Sequence, residues 1–214
     1  PLLERAKFLS IVTSNLDEFI QVRYGRIYEA ARKGEKGARA LYRRVNREVL
    51  RQNNAQYLLY EGIRSELYLQ GVRLYPTFSL DEDHMRREKA LFEKEIRPYL
   101  KVEPLRDSRP RQKQLYLLVK LARPRPKDAQ FRLVSVPAAL PRLFDLSKSK
   151  GEQYLIRVED VVKHYLHRIF PKDQVEHAAV FRIIRNQNFP VQERSTDDIV
   201  PAVREMLSQR IGGE

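Results

Sequence analysis

An α+β protein, with an antiparallel helical bundle leading into a mixed α/β head domain, is what three features of this 214-residue sequence predict. Apolar residues recur at helical spacing up to about Gln70, the period changes to that of strands from Gln114, and helix-like and strand-like stretches then alternate irregularly.

Leu16, Phe19, Ile20 and Ile27 fall on one helical face. Ser14 or Asn15, followed by Asp17 and Glu18, reads as a helix start, with a side-chain cap and acids at the positive end. Gly34 and Gly37 mark a stop. From Ala38 to about Gln70, Leu41, Val45, Val49, Leu59, Ile63 and Leu67 keep the helical period without a proline. That predicts a rod on the order of 50 Å long at about 1.5 Å per residue. Its stripe needs neighbours, and the two helices predicted before it are the candidates. Gly71 and Pro76 close the block, so residues 1–78 are expected to form the helical domain and 79–214 the head.

In the head, Ser79 or Asp81 caps a helix running to about Arg97, with Met85, Leu91, Phe92 and Ile96 inward. Residues 114–121 and 131–136 read as a hairpin with a mobile, Pro-rich, basic tip. Pro137 to Ser147 is too punctuated for a long helix. Gln153 to Arg157 reads as a strand, and Val158 to Phe170 as a helix with Val161, Val162, Leu166 and Ile169 inward. Ala178 to Arg185 reads as another strand, and Ser195 or Thr196 caps a last helix through Arg210.

The net charge is +13, with a pI near 10.0. Such a surface attracts polyanions, and charge alone does not choose among nucleic acid, anionic lipid and phosphate polymer. Residues 101–150 hold 13 Lys+Arg against 4 Asp+Glu, the densest positive stretch. Arg109 and Arg111 lie in one Pro-containing cluster, Arg123 and Arg125 in another. Arg39, Arg43, Arg47 and Arg51 descend one helical face at i,i+4, with only Glu48 among them. Like charges so spaced repel, which suits either an anionic ligand or a plain solvated face. These eight arginines are the candidate polyanion-binding residues.

The chain has no cysteine, no apolar run of membrane-spanning length and no signal-peptide pattern, so the cytoplasm is the expected compartment. There is no GxxxxGK phosphate loop. Of the four histidines, His164 and His167 share a predicted helix but have no third ligand at metal spacing; His84 and His177 stand apart. No metal site and no catalytic residue are expected within the chain. A stand-alone basic nucleic-acid-binding or scaffolding module without catalysis is the alternative. The lack of an RNP-like motif, of tryptophan and of C2H2 spacing weighs against specific nucleic-acid binding.

Pro1-Leu2-Leu3-Glu4-Arg5-Ala6-Lys7-Phe8-Leu9, followed by Ser14-Asn15-Leu16-Asp17-Glu18-Phe19 and Val22-Arg23, resembles the N-terminal region of the long-chain bacterial polyphosphate kinases. The resemblance continues in order through Glu95-Ile96-Arg97-Pro98-Tyr99-Leu100, Val136 to Phe144, Arg157 to Val162 and Ala179 to Asn186, where Ile184 stands at the family's usual threonine. It implies an enzyme that transfers the terminal phosphate of ATP to inorganic polyphosphate through a phosphohistidine, with Mg2+ nearby. It places that histidine after Glu214, so this chain alone is expected to be inactive. It also implies a short helical segment ahead of Pro1 and a homodimer formed through the head. One site residue carries over: Asn15 aligns with the family's asparagine that contacts the base of ATP.

Overall fold

The computed structural model describes residues 1–75, 80–122, 130–148, 151 and 153–185. The last predicted helix, and Arg123 and Arg125 in the hairpin tip, lie outside the described residues. The chain divides into two compact units, one built on Pro1–Arg73 and the other on Leu74–Ile183.

The first unit is a helical hairpin. Helix α1 (Leu2–Phe19) continues through a π turn (Ile20–Tyr24) into α2 (Gly25–Arg32), and α3 (Ala38–Leu69) returns beside them. The two helices predicted before the long rod are therefore one unbroken helical run. Nothing between Leu2 and Thr13 breaks a helix, so the start expected at Ser14 or Asn15 does not occur. Ser14 instead donates its hydroxyl back to the Ser10 carbonyl at 3.0 Å, the usual way a mid-helix serine is satisfied. Asp17 lies inside the helix as well, and is buried. The turn to α3 uses Gly34 and Gly37 with φ of 77° and 76°, a left-handed region in which a side chain would be strained.

Three contacts fix the hairpin's register. Arg5 Nη1 donates to Glu66 at 2.7 Å, Thr13 Oγ1 to Gln56 Oε1 at 2.7 Å, and Tyr24 Oη to Asn46 Oδ1 at 2.9 Å. Numbers rise along one helix as they fall along the other, so the pair is antiparallel. Of the stripe predicted on α3, Ile63 is buried and Val45, Val49 and Leu67 are half-buried, but Leu41 and Leu59 are exposed. A single neighbouring helix covers only a narrow strip of a rod.

The second unit is the α+β head. Strands β1 (Val72–Tyr75), β2 (Lys101–Pro104), β3 (Leu115–Leu121), β4 (Gln130–Val136), β5 (Leu143–Asp145), β6 (Gln153–Arg157) and β7 (Val175–Arg182) form two sheets, ordered β1-β6-β5 and β2-β4-β3-β7. The four-stranded sheet is antiparallel throughout, and β3 and β4 pair as predicted, Leu117 opposite Val134 and Leu121 opposite Gln130. Leu117, Val119 and Leu121 enter the main core, while Leu118 joins Leu105 and Ala179 on the other face. Burial on both faces explains why β3 is apolar at nearly every position.

Helix α4 (Glu82–Leu91) starts on Asp81, whose Oδ1 accepts the His84 backbone N–H at 3.0 Å. It passes into a π turn (Phe92–Ile96) and a 3-10 turn (Arg97–Tyr99), with Phe92 and Ile96 wholly buried across the change of pitch. Met85, predicted inward, is exposed; His84 and Glu88 hold the inward positions instead. The single helix predicted from Val158 to Phe170 is divided at Tyr165 into α5 (Val158–His164) and α6 (Leu166–Ile169). The Tyr165 ring there stacks on Phe92 with centroids 4.6 Å apart.

Candidate functional site

Asn15 faces α3 across a groove of about 410 Å³ within the hairpin. Val12, Leu16 and Phe19 of α1 and Val45 and Val49 of α3 give it apolar walls. Asn15, Glu48 and Gln52 supply its polar groups. The spacing is dictated by the helices: positions 12, 15, 16 and 19 form one face of α1, and 45, 48, 49 and 52 one face of α3.

The polar groups are ordered among themselves. Gln52 Nε2 donates to Glu48 Oε1 at 3.2 Å, and Arg51 donates to both Glu48 oxygens at 2.9 and 2.6 Å. These hydrogen bonds, that from Arg51 foremost, lower the Glu48 carboxyl to about 2, so it is ionised at neutral pH. Further along the hairpin, Tyr24 reaches Tyr42 and Asn46, and burial pushes its phenol above the ordinary range. The groove thus pairs apolar walls, one aromatic ring from Phe19 among them, with two carboxamides, each able to donate and to accept. Such a site suits a planar heterocycle with a polar edge.

None of the other predicted site residues that the structure describes lines this groove. Arg39, Arg43, Arg47 and Arg51 are exposed, and at 3.6 residues per turn their stripe is centred roughly 170° around α3 from the groove-lining residues. Arg51 is engaged with Glu48, whereas Arg39, Arg43 and Arg47 make no ion pair among the described residues. Arg109 and Arg111 are exposed residues of the head, in the segment between Asp107 and β3, where the Arg111 backbone N–H donates to Tyr116 Oη at 2.7 Å. Sequence reasoning missed Gln52, Val45 and Val49 as partners of Asn15. Their proximity comes from the hairpin's register, which is written in the Thr13–Gln56 and Tyr24–Asn46 pairs rather than in any local motif.

Comparison with known proteins adds an independent line. A family model described as polyphosphate kinase N-terminal domain matches residues 1–75, and one described as polyphosphate kinase middle domain matches residues 83–214. The polyphosphate kinase of Exiguobacterium sp. (strain ATCC BAA-1283 / AT1b) is 30% identical over 223 residues, covering 98% of this chain and 31% of the relative. That of Streptomyces coelicolor is 29% identical, over 99% of this chain and 30% of its own length. The crystal structure of polyphosphate kinase from Porphyromonas gingivalis superposes with a TM-score of 0.78 at 25% identity, covering 94% of this chain and 34% of that one. The chain spans about a third of the length of these relatives.

Proposed function

From the premise that the chain belongs to the polyphosphate kinase family, of which it carries the N-terminal and middle domains, we propose that it is the front part of an enzyme that transfers phosphate from ATP to inorganic polyphosphate. In this reading the hairpin holds the nucleotide base, the basic surface attracts the polymer, and the reacting histidine belongs to domains beyond this chain. The helical domain ends and the head begins near residue 78, and the head serves homodimer formation. Phosphoryl transfer depends on positioning and charge neutralisation, and a chain of net charge +13 suits both.

The observation that carries the nucleotide assignment is the groove itself, with Asn15 among apolar walls in the domain the family places first. Asn15 presents its amide to the base edge, Phe19 and the valines cover the ring faces, and Gln52 offers a second amide. Arg39, Arg43 and Arg47 face away from this groove and serve as a polymer track. No group of three or more His, Asp or Glu side chains suited to a metal gathers among the described residues, so the Mg2+ of the family's reaction is assigned to none of them. No helix among the described residues is long and apolar enough to cross a membrane.

Asn15→Ala in the full-length protein tests the assignment. Losing a hydrogen-bonded amide costs about 1–1.5 kcal/mol, so the Kd for ATP should rise about tenfold. Helix content by circular dichroism should hold, since alanine is the better helix former. Unchanged ATP affinity would remove Asn15 from the site.

A further inference from the structure

A second groove, of about 420 Å³, lies in the head between α4 and the α5–α6 pair, and none of the residues assigned above lines it. Arg86 and Lys89 stand on one wall, His164, His167 and Arg168 on the other, with Met85 and Tyr165 between them. Glu82 is the one carboxylate lining it. Glu82 to Lys89 spans two helical turns, so the groove is about 10 Å long, with cationic groups on both sides.

The cations differ in how firmly they are held. Arg168 Nη1 donates to Glu93 at 3.0 Å, while its Nε is buried without a hydrogen-bond partner. Arg86 pairs with Asp83 at the exposed surface, where such pairs contribute little and exchange readily. Lys89 makes no ion pair among the described residues.

Asp83 and Glu93 pair with the groove's two arginines, and a further acid beneath it is silenced. Glu88 lies wholly buried beneath the groove, its Oε2 3.0 Å from His164 Nδ1 and 3.4 Å from the Tyr165 hydroxyl. Burial pushes its carboxyl up to about 8, and burial also lowers His164, so the two meet as neutral groups sharing one proton. The groove floor therefore adds no negative charge at neutral pH.

We propose that the α4/α5–α6 groove of the head is a binding site for a linear phosphate chain, gripped from both walls by Arg86, Lys89, His167 and Arg168. An elongated trough with charges on two sides offers several linked phosphates contacts along its length that one compact oxoanion could not use. The choice of phosphate chain over other polyanions rests on the polyphosphate reading above.

The test is a titration of the full chain with sodium tripolyphosphate, followed by the NMR signals of the histidine side chains. Saturable shifts of His164 and His167 are expected, with His177 on strand β7, which does not line the groove, unmoved. Arg86→Gln with Lys89→Gln, both at exposed positions, should weaken this response at least fivefold. Equal shifts from sodium chloride at matched ionic strength, parallel movement of His177, or an unaltered titration in the double variant would each overturn the proposal. So would tighter binding of an oligothymidylate with the same number of phosphates, which would make this a nucleic-acid surface. The ATP affinity of Asn15→Ala is read separately, so either assignment can fail while the other stands.

Discussion

In the head, Phe92, Ile96, Leu117, Val134 and Val162 are wholly shut away from water, whereas in the hairpin Phe8, Tyr57 and Leu58 keep 62–69% of their surface exposed. Both regions are rich in apolar residues, and they differ in the number of layers available to cover them. The four-stranded sheet has helices α4 and α5 on one face and a second apolar cluster around Leu105 and Ala179 on the other. Two antiparallel helices meet along one strip only, and here much of that strip is polar, including Thr13, Gln56, Tyr24 and Asn46. In the head, burial supplies the stability. In the hairpin, hydrogen bonds set the register while burial contributes little.

The largest effect should come from breaking the head's core. Phe92→Ala removes a fully buried ring that stacks on Tyr165, and should cost about 3–5 kcal/mol in urea unfolding followed by circular dichroism. A loss under 1 kcal/mol would mean that the head is no better packed than the hairpin.

A smaller, pH-dependent effect should come from Glu88. Its carboxyl ionises near 4.5 when unfolded but only near 8 when folded, so above pH 4.5 the folded head holds a proton that the unfolded chain has released. Stability from this group therefore falls as pH rises towards 8. His164, lowered by burial, acts in the opposite direction below its ordinary 6.5. Between pH 6.5 and 8 only the Glu88 slope remains, and the head should lose on the order of 1–2 kcal/mol. Glu88→Gln should flatten that slope, as read from urea midpoints at several pH values. A wild-type midpoint flat across this range would show instead that Glu88 is ionised in the fold.

The smallest effect sharpens the contrast from the other side. Leu58→Gln on α3 alters a residue 69% exposed, and its unfolding midpoint should match the wild type within about 0.5 kcal/mol. A loss above 1.5 kcal/mol would reveal that this face is covered in solution.

The sequence was legible where periodicity and local chemistry coincide. The long rod, the Asp81 cap and the β3–β4 pair each carry a signal within one stretch of chain. The inward face of α4 was misread because two of its buried positions are His84 and Glu88, polar residues that an apolar count passes over. Strands β1, β2 and β5 are only three or four residues long, too short for an alternation to register. The division at Tyr165 had no proline or glycine to announce it. At the candidate site, Asn15 was visible through its motif, but Gln52 was not, because its relation to Asn15 exists only once two helices have paired.

The π turn at Ile20–Tyr24 bears on all of this through phase. A π turn takes in one more residue than an α turn, which rotates the helix before it by about 100° relative to the helix after it. Asn15 lies just ahead of that insertion, and α2, packed on α3, lies just behind it. The azimuth of the asparagine is thus set by a single surplus residue in the helix, in the manner of a vernier. Removing that residue would turn the whole α1 wall of the groove, Val12, Leu16 and Phe19 together with Asn15, away from its α3 wall.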